Sequence, residues 1–209
     1  MQTLLIATAN RGKVTEIRRF LSSFTLRVTG LETLTGIAPC QETGATFAEN
    51  ARLKAEYYSQ FAGGLTLADD SGLVVDALDG NPGVRSARFV SPSATDQERC
   101  REVLRLMDAV PEASRQARFV CCLALARRGK FLDLFEGIVE GLITHEPRGE
   151  QGFGYDPIFL IPEIGNTMAE LAAEKKLLVS HRGMALQKLA DSLTHLLPLA
   201  PQASTGTGF

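Results

Sequence analysis

The first quarter of the chain predicts a strand, a tight loop and two helices. The apolar run at residues 4–7 ends at the polar stretch 10–12, and apolar side chains then recur at helical spacing from Val14 to Phe24. This change of period is typical of a strand that is followed by a helix. Thr46 and Glu49 have the spacing of a capping box, which predicts that a second helix begins there.

The next stretch predicts two strand segments that are separated by a polar turn. Leu65-Thr66-Leu67-Ala68 and Leu73-Val74-Val75 have the composition of strands, and Asp69-Asp70-Ser71-Gly72 between them has the composition of a turn. A third helix is expected to begin at Thr95, because Glu98 again has capping-box spacing.

The second half predicts an antiparallel hairpin that is followed by helices. Residues 118–126 and 131–143 are rich in strand-forming side chains, and Arg128-Gly129-Lys130 lies between them as a turn. Alternation of strands and helices, followed by a hairpin, favours an α/β protein with a mixed sheet. The remaining expected elements are a glycine-rich loop at residues 149–154, a short helix starting at Thr167 and Glu170, and a last helix with apolar positions from Met184 to Leu196.

Composition indicates one globular domain. The chain has 209 residues, of which 44% are hydrophobic and 22% charged, values that exclude a disordered, collagen-like or coiled-coil protein. We expect residues 1–197 to form a single α/β domain, and residues 198–209, which are poor in hydrophobic and charged side chains, to form a flexible tail. The four cysteines form no CxxC pair, which favours buried thiols over disulfides or a zinc site.

Charge and hydropathy exclude two classes of partner. The formal net charge is −2, and no block of Lys and Arg is present, which argues against a nucleic-acid-binding surface. No run of about 20 apolar residues could span a membrane, and the N-terminus lacks the features of a signal peptide. A cytoplasmic protein is therefore expected.

The loop from Thr8 to Lys13 is a candidate anion site. It lies where a strand passes into a helix, and the free N–H groups of a helix start, together with a lysine, attract phosphate. The GxxxxGK[ST] phosphate loop of nucleoside triphosphatases is absent from the sequence. The alternative is a plain turn formed by Asn10 and Gly12, with Lys13 in solvent.

The acidic segment at residues 69–72 is a candidate metal or acid–base site. Adjacent side chains of an extended chain face opposite ways, so only one of the two carboxylates can point into a given cleft. Such a carboxylate could hold Mg²⁺ or accept a proton from water, and Ser71 could contact a phosphate. The alternative is an Asx-turn before Gly72.

Two later segments could bind a nucleobase. Phe153 and Tyr155 flank a glycine and could offer a stacking face, although packing in the core is the alternative. His181 and Arg182 lie at the start of the last helix, where cations are unfavourable; a bound anion or carbonyl would remove that conflict. Elsewhere, Glu42, Lys54 and Lys176 are single charges that could equally be surface charge.

Six motifs together resemble the inosine triphosphate pyrophosphatase family, which hydrolyses non-standard purine nucleoside triphosphates. The resemblance runs from Leu4 to about Leu196. The motifs are TxNxxK from Thr8, ETGxTFxENAxxKA from Glu42, ADDSGL from Ala68, PGxxSAR from Pro82, GFGYDPxF from Gly152 and SHRG from Ser180. No departure occurs at a proposed catalytic position.

The resemblance implies an ITPase-like α/β fold with a long mixed central sheet, flanking helices and two lobes around a central cleft, and it implies a homodimer. It also implies that Glu42 and Asp70 bind Mg²⁺ and that Asp70 accepts the proton. The implied triphosphate contacts are Thr8, Asn10, Gly12, Lys13 and Lys54, with Ser71 on a phosphate or the sugar; the implied base and phosphate contacts are Phe153, Gly154, Tyr155, Asp156, Lys176, His181 and Arg182.

The implied reaction converts ITP, dITP or XTP to the monophosphate and pyrophosphate, which keeps these nucleotides out of nucleic acids. Donors such as Arg182 and His181 would donate to the purine 6-carbonyl, whereas the amine of adenosine would meet another donor. Two alternatives remain: a Maf-like pyrophosphatase for modified pyrimidines, and a nucleotide-binding sensor without catalysis. Retention of both Glu42 and Asp70 disfavours the sensor, because binding alone needs no general base.

Overall fold

A mixed seven-stranded sheet forms the centre of the protein. A computed structural model describes residues 2–196, with the side chains of residues 2–193; the predicted tail at residues 198–209 lies outside this range. The sheet order is β2-β1-β3-β4-β5-β6-β7, with β1 parallel to β2 and β3 and every later pair antiparallel. The strands are β1 (Gln2–Ile6), β2 (Leu26–Gly30), β3 (Leu65–Val75), β4 (Gln116–Arg127), β5 (Lys130–Ile143), β6 (Phe159–Ile161) and β7 (Asn166–Thr167).

Helices flank the sheet, which confirms the predicted α/β class. They are α1 (Arg11–Leu21), α2 (Phe47–Ser59), α3 (Asp96–Leu106), α4 (Ala173–Val179) and α5 (His181–Leu196). The capping boxes predicted at Thr46 and Thr95 are both formed. The helix predicted from Thr167 is only a 3₁₀ turn, Met168–Glu170, because the backbone becomes extended at the buried Leu171. Within the described range, every helix is too short or too polar to cross a bilayer.

The polar segment in β3 is part of one continuous strand, so the predicted turn at residues 69–72 is wrong. β4 pairs with β3 along its whole length, from Thr66 opposite Ala126 to Val75 opposite Ala117. The two buried aspartates are tolerated because cations contact both. Gly72 is needed for space, since a Cβ there would lie 2.2 Å from the Ser86 hydroxyl.

The hairpin between β4 and β5 confirms the prediction. Arg128 and Gly129 form the two-residue turn with φ of 53° and 76°, the left-handed conformation that a type I′ turn requires. Three of the four cysteines are buried and all four are free, as the absence of a CxxC pair predicted.

Alternation along the strands divides the core into three clusters. On one face of β3, Leu67 belongs to a cluster under α1 and α5, and Leu73 and Val75 belong to a second cluster under α3. Ala68, on the other face, packs in a third cluster with α2. Asp69 and Ser71 interrupt the first face between the two clusters, so a polar belt lies there between two apolar lobes.

Candidate active site

A cavity of about 230 Å³ opens at this polar belt. Phe153 and the aliphatic wall of Ala87, Pro92 and Ala94 give it apolar surface, and charged side chains of α1, α3, α4 and α5 line much of the rest. The structure thus brings together ten of the residues that the sequence predicts for substrate binding. They are Asn10, Lys13, Ser71, Phe153, Gly154, Tyr155, Asp156, Lys176, His181 and Arg182.

Asp69 joins the two cations at the floor of the cavity. It is fully buried, and its carboxylate pairs with Lys13 Nζ and with Arg182 Nε, each at 2.7 Å. The Ser71 hydroxyl donates to Asp69 at 2.8 Å and accepts from Arg182 Nη2 at 2.8 Å. Burial opposes ionisation, but Arg182 and Lys13 outweigh it and hold the pKa of Asp69 well below its usual range. Asp69 is therefore charged at neutral pH, with both oxygens engaged.

Glu16 is a member of the site that the sequence analysis missed. Its carboxylate accepts from Lys176 Nζ at 2.7 Å and from Arg182 Nη1 at 2.5 Å. Burial acts to raise the pKa of Glu16, but these two cations outweigh it and lower that pKa. Glu16 follows Lys13 by three residues on α1, a spacing that places both on one helix face, and it is the only acid of that helix.

The conflict at the start of α5 is removed by the protein itself. Asp69 and Glu16 supply the negative charge that Arg182 needs at the positive end of the helix dipole. These two carboxylates remove the conflict within the protein, so it does not by itself indicate a bound anion or carbonyl. Among the described residues, each terminal nitrogen of Arg182 donates once, which leaves one N–H on each.

The loop around Phe153 is fixed by Asp156. The buried Asp156 carboxylate accepts from the Phe153 backbone N–H at 2.8 Å and pairs with Lys176 Nζ at 2.5 Å. Burial raises the pKa of Asp156 despite Lys176. The Lys176 ammonium lies 4.7 Å from the centroid of the Phe153 ring, and the ring packs so closely on Gly12 that a Cβ there would approach it to 2.4 Å.

Tyr155 and His181 are both buried, with different partners. The Tyr155 hydroxyl donates to the Ser86 carbonyl at 2.9 Å, and its ring belongs to the cluster under α3, so core packing and cavity lining are combined. His181 stacks on Phe119 with ring centroids 4.6 Å apart, and its Nδ1 is buried without a hydrogen-bond partner. Burial, reinforced by Arg182 and Lys176, lowers the pKa of His181 well below its usual value.

Neutral His181 predicts a specific loss of stability in acid. The imidazole of an unfolded chain has a pKa of about 6.5. Below that pH, His181 is protonated in the unfolded chain but stays neutral in the folded protein, where its pKa is lower. The free energy of unfolding therefore falls as the pH drops. We expect His181→Gln to remove this contribution, so that wild type loses about 1 kcal/mol relative to the variant between pH 6.5 and 5.5, measured by urea unfolding.

The exposed His145 provides the matched control for this measurement. His145→Gln leaves His181 in place, so its unfolding free energy should follow that of wild type across the same pH range. Equal pH dependence in wild type and His181→Gln would contradict the prediction.

The other face of β3 carries a separate charged group. The Asp70 carboxylate accepts from Lys54 Nζ at 2.9 Å, and Glu42 approaches the same ammonium at 3.3 Å. Burial raises the pKa of Asp70, although Lys54 opposes this. Burial acts against the charge of Lys54, but Asp70 and Glu42 outweigh it and raise the pKa of Lys54. Lys54 is not among the residues that line the cavity, whereas Lys13, Lys176 and Arg182 are.

This second group has the donor chemistry that suits a divalent cation such as Mg²⁺. Asp70 Oδ2 is buried and has no hydrogen-bond partner, and Glu42 and Asp70 already share one cation. Among residues 2–193, no group of three or more His, Cys, Asp or Glu side chains is placed to hold a metal. Mg²⁺ usually takes one or two carboxylates and completes its shell with water and phosphate, which two carboxylates satisfy.

The loop before α1 is organised mainly by its own hydrogen bonds. The Asn10 side chain caps α1 by accepting from the Lys13 N–H at 3.1 Å, and the Thr8 hydroxyl accepts from the Asn10 N–H at 3.3 Å. Both residues still have exposed or half-exposed surface. The turn and the free N–H groups of a helix start are thus present together at this position.

Comparisons of the sequence and of the structure with known proteins indicate the same family. Residues 4–192 match the model of the Ham1 family. The dITP/XTP pyrophosphatase of Yersinia pseudotuberculosis is 46% identical over 195 residues, 92% of this chain and 98% of that protein; that of Listeria monocytogenes is 43% identical over 197 residues, 94% and 97%. A HAM1 protein from Coxiella burnetii superposes with a TM-score of 0.84 at 39% identity, over 93% of this chain and all of that chain.

Proposed function

The chain belongs to the Ham1 family, and from this premise we propose that it hydrolyses non-standard purine nucleoside triphosphates, namely dITP, XTP and ITP, to the monophosphate and pyrophosphate. The family resemblance stated from the motifs is confirmed. One observation carries the proposal: Asp69 and Asp70 are adjacent on β3 but face opposite ways. Asp69 pairs with the cations of a cavity that also has an aromatic wall, and Asp70 lies on the other face, where it forms a pair of carboxylates with Glu42.

The substrate contacts follow this division. The base is stacked on Phe153, with Gly154, Tyr155 and Asp156 completing its pocket, and Lys176, His181 and Arg182 contact base and phosphate; all seven line the cavity. Thr8, Asn10, Gly12 and Lys13, at the start of α1, and Lys54, beside Asp70, hold the triphosphate, and Ser71 contacts a phosphate or the sugar.

Asp70 is the proton acceptor in this proposal. Water attacks the α-phosphorus, the bond from that phosphorus to the bridging oxygen breaks, pyrophosphate leaves, and the proton of the water passes to an Asp70 oxygen. The buried, unpartnered Oδ2 and the raised pKa of Asp70 support this role. Glu42 and Asp70 hold Mg²⁺, which supplies charge neutralisation at the phosphate oxygens.

Selectivity rests on donors that remain free beside the base. Within the part of the chain that the structure describes, each terminal nitrogen of Arg182 donates once and keeps one N–H, and Lys176 donates twice and keeps its third proton. These donors suit the 6-carbonyl of inosine and xanthosine, whereas the 6-amine of adenosine would meet a second donor. A buried polar mismatch of this kind can discriminate by about 10⁴.

Further parts of the proposal concern the protein's setting. We place the enzyme in the cytoplasm as a homodimer that keeps non-standard nucleotides out of nucleic acids, with no nucleic-acid or membrane partner. We also propose that residues 1–197 form one domain, since a single sheet runs through the described residues.

A nucleotide panel tests the function. Pyrophosphate release is measured from dITP, XTP, ITP, GTP, ATP and dUTP, with Mg²⁺ and with excess chelator. We expect kcat/KM for dITP to exceed that for ATP by at least about 10³ and chelator to abolish release. Comparable values for ATP and dITP would refute the selectivity, preference for dUTP would favour the pyrimidine alternative, and release from none would leave a nucleotide-binding sensor.

A further inference from the structure

The first turn of α3 holds the loop that carries Phe153. Asp96 Oδ2 accepts a hydrogen bond from the Gly154 N–H at 2.7 Å, and the Cys100 thiol donates to the Gly154 carbonyl at 3.3 Å. Gly154 has a φ of 62°, in the left-handed region that glycine adopts readily. The backbone of the residue next to Phe153 is therefore fixed on both sides by one helix.

Arg99 extends this attachment to the aliphatic wall of the cavity. Its Nη1 donates to the Ala87 carbonyl at 3.2 Å and to the Ala94 carbonyl, and its Nη2 pairs with Asp96. Ala87 and Ala94 line the same cavity as Phe153. Asp96 and Arg99, which we call the clasp, thus connect the aliphatic wall to the Phe153 loop.

We propose that the clasp is a positioning pair that sets the width of the base pocket and so determines purine discrimination, an inference that rests on the proposed function. Neither residue is assigned a role by the motifs. The base slot lies between a wall held by Arg99 and a loop held by Asp96. Loss of either attachment lets the slot widen and admits purines with a larger edge.

A role for the clasp in stabilising α3 alone does not account for the contacts that the two residues make. α3 already has a complete N-cap, since Thr95 and Glu98 form a capping box with bonds of 2.7 and 3.2 Å. Arg99 donates to two carbonyls that lie outside the helix, and its side chain is only 13% exposed. By contrast, Glu102 and Arg105 form a pair of the same spacing on the same helix with Arg105 67% exposed, and neither lines the cavity.

The test compares Arg99→Met with Arg105→Met as its matched control. Steady-state hydrolysis of dITP and dGTP is measured together with the Tm of each protein. For Arg99→Met we expect KM for dITP to rise about tenfold with kcat changed by less than about twofold, since lost ground-state binding appears in KM. The ratio of kcat/KM for dITP over dGTP should fall about tenfold, while Arg105→Met stays within about twofold of wild type.

A second pair of variants shows whether the two residues act together. Asp96→Asn keeps an acceptor for Gly154 but removes the charge that orients Arg99. Because both residues serve one clasp, the double variant Asp96→Asn/Arg99→Met should raise KM no more than about twofold beyond Arg99→Met alone. If Arg99→Met does not fold, Arg99→Lys replaces it, because lysine lacks the planar fork with which Arg99 serves the two carbonyls through Nη1 and Asp96 through Nη2.

Binding of dIMP and dGMP, measured by calorimetry, separates the two proposals. A wild type that binds dIMP in preference to dGMP but releases no pyrophosphate refutes the proposed catalysis, and the clasp is then judged on the Kd ratio in Arg99→Met. Unchanged discrimination in Arg99→Met, a loss confined to kcat, or an equal effect of Arg105→Met overturns the clasp. Absence of dIMP binding by wild type overturns both.

Discussion

Asp70→Asn is expected to lower kcat for dITP hydrolysis at saturating Mg²⁺ by about 10³-fold or more. Asparagine keeps the shape of the side chain but cannot accept a proton from the attacking water, and general-base catalysis typically contributes about 10²- to 10⁴-fold. The amide also weakens one of the two proposed metal ligands. Initial rates of pyrophosphate release at several Mg²⁺ concentrations measure the effect.

Folding of the same variant is expected to be intact. Burial raises the pKa of Asp70, so the folded protein holds this carboxylate as an anion at a cost, and its Oδ2 makes no hydrogen bond that could be lost. Lys54 contacts Asp70 through Oδ1, where the amide oxygen of asparagine can still accept a hydrogen bond. Lys54 keeps Glu42 as a partner. The free energy of unfolding should therefore stay within about 1 kcal/mol of wild type. Wild-type kcat at saturating Mg²⁺ would show that Asp70 is not the base.

Asp69→Asn is expected to have the opposite profile, with a loss of about 3 to 5 kcal/mol in the free energy of unfolding at pH 7. Asp69 is fully buried and neutralises both Lys13 and Arg182. Removal of one partner from a buried ion pair leaves uncompensated charge, which carries a cost of this size. Urea unfolding measures the change, and Asp70→Asn, one residue away, is the matched control.

The pH dependence of this loss has a defined sign. The pKa of Asp69 is lowered in the folded state, so its contribution is fully present above the unfolded value of about 3.9 and is lost as the pH falls toward the folded value. The stability gap between wild type and Asp69→Asn should therefore narrow below about pH 4. The prediction would be refuted if Asp69→Asn lost less than about 1 kcal/mol of unfolding free energy at pH 7, or if Asp69→Asn and Asp70→Asn lost equal amounts.

Local signals in the sequence predicted the parts of the fold that depend on neighbouring residues. The capping boxes at Thr46 and Thr95 and the turn at Arg128 and Gly129 each depend on side chains or φ values within four residues. The turn predicted at residues 69–72 failed because propensity rates Asp and Gly as breakers, whereas here pairing with β4 and distant cations decide the conformation.

Separation along the sequence also explains which residues of the candidate site could be predicted from the sequence. Motif spacing was sufficient for the Phe153 loop and the start of α5, since their members are adjacent in sequence. Glu16 contacts Lys176 and Arg182 across separations of 160 and 166 residues, and its only local signal is its helical spacing from Lys13. The clasp is recognisable only when the fold brings α3 against Gly154.

The continuity of β3 also fixes the offset between the cavity on one face of the strand and the pair of carboxylates on the other. The Cα atoms of Asp69 and Asp70 are held about 3.8 Å apart by one peptide unit, in a strand hydrogen-bonded to β4 throughout this region. In the proposed reaction the purine is bound beside Asp69 and the attacked phosphorus lies beside Asp70, so the offset between the base cavity and the proposed base is set by the strand itself.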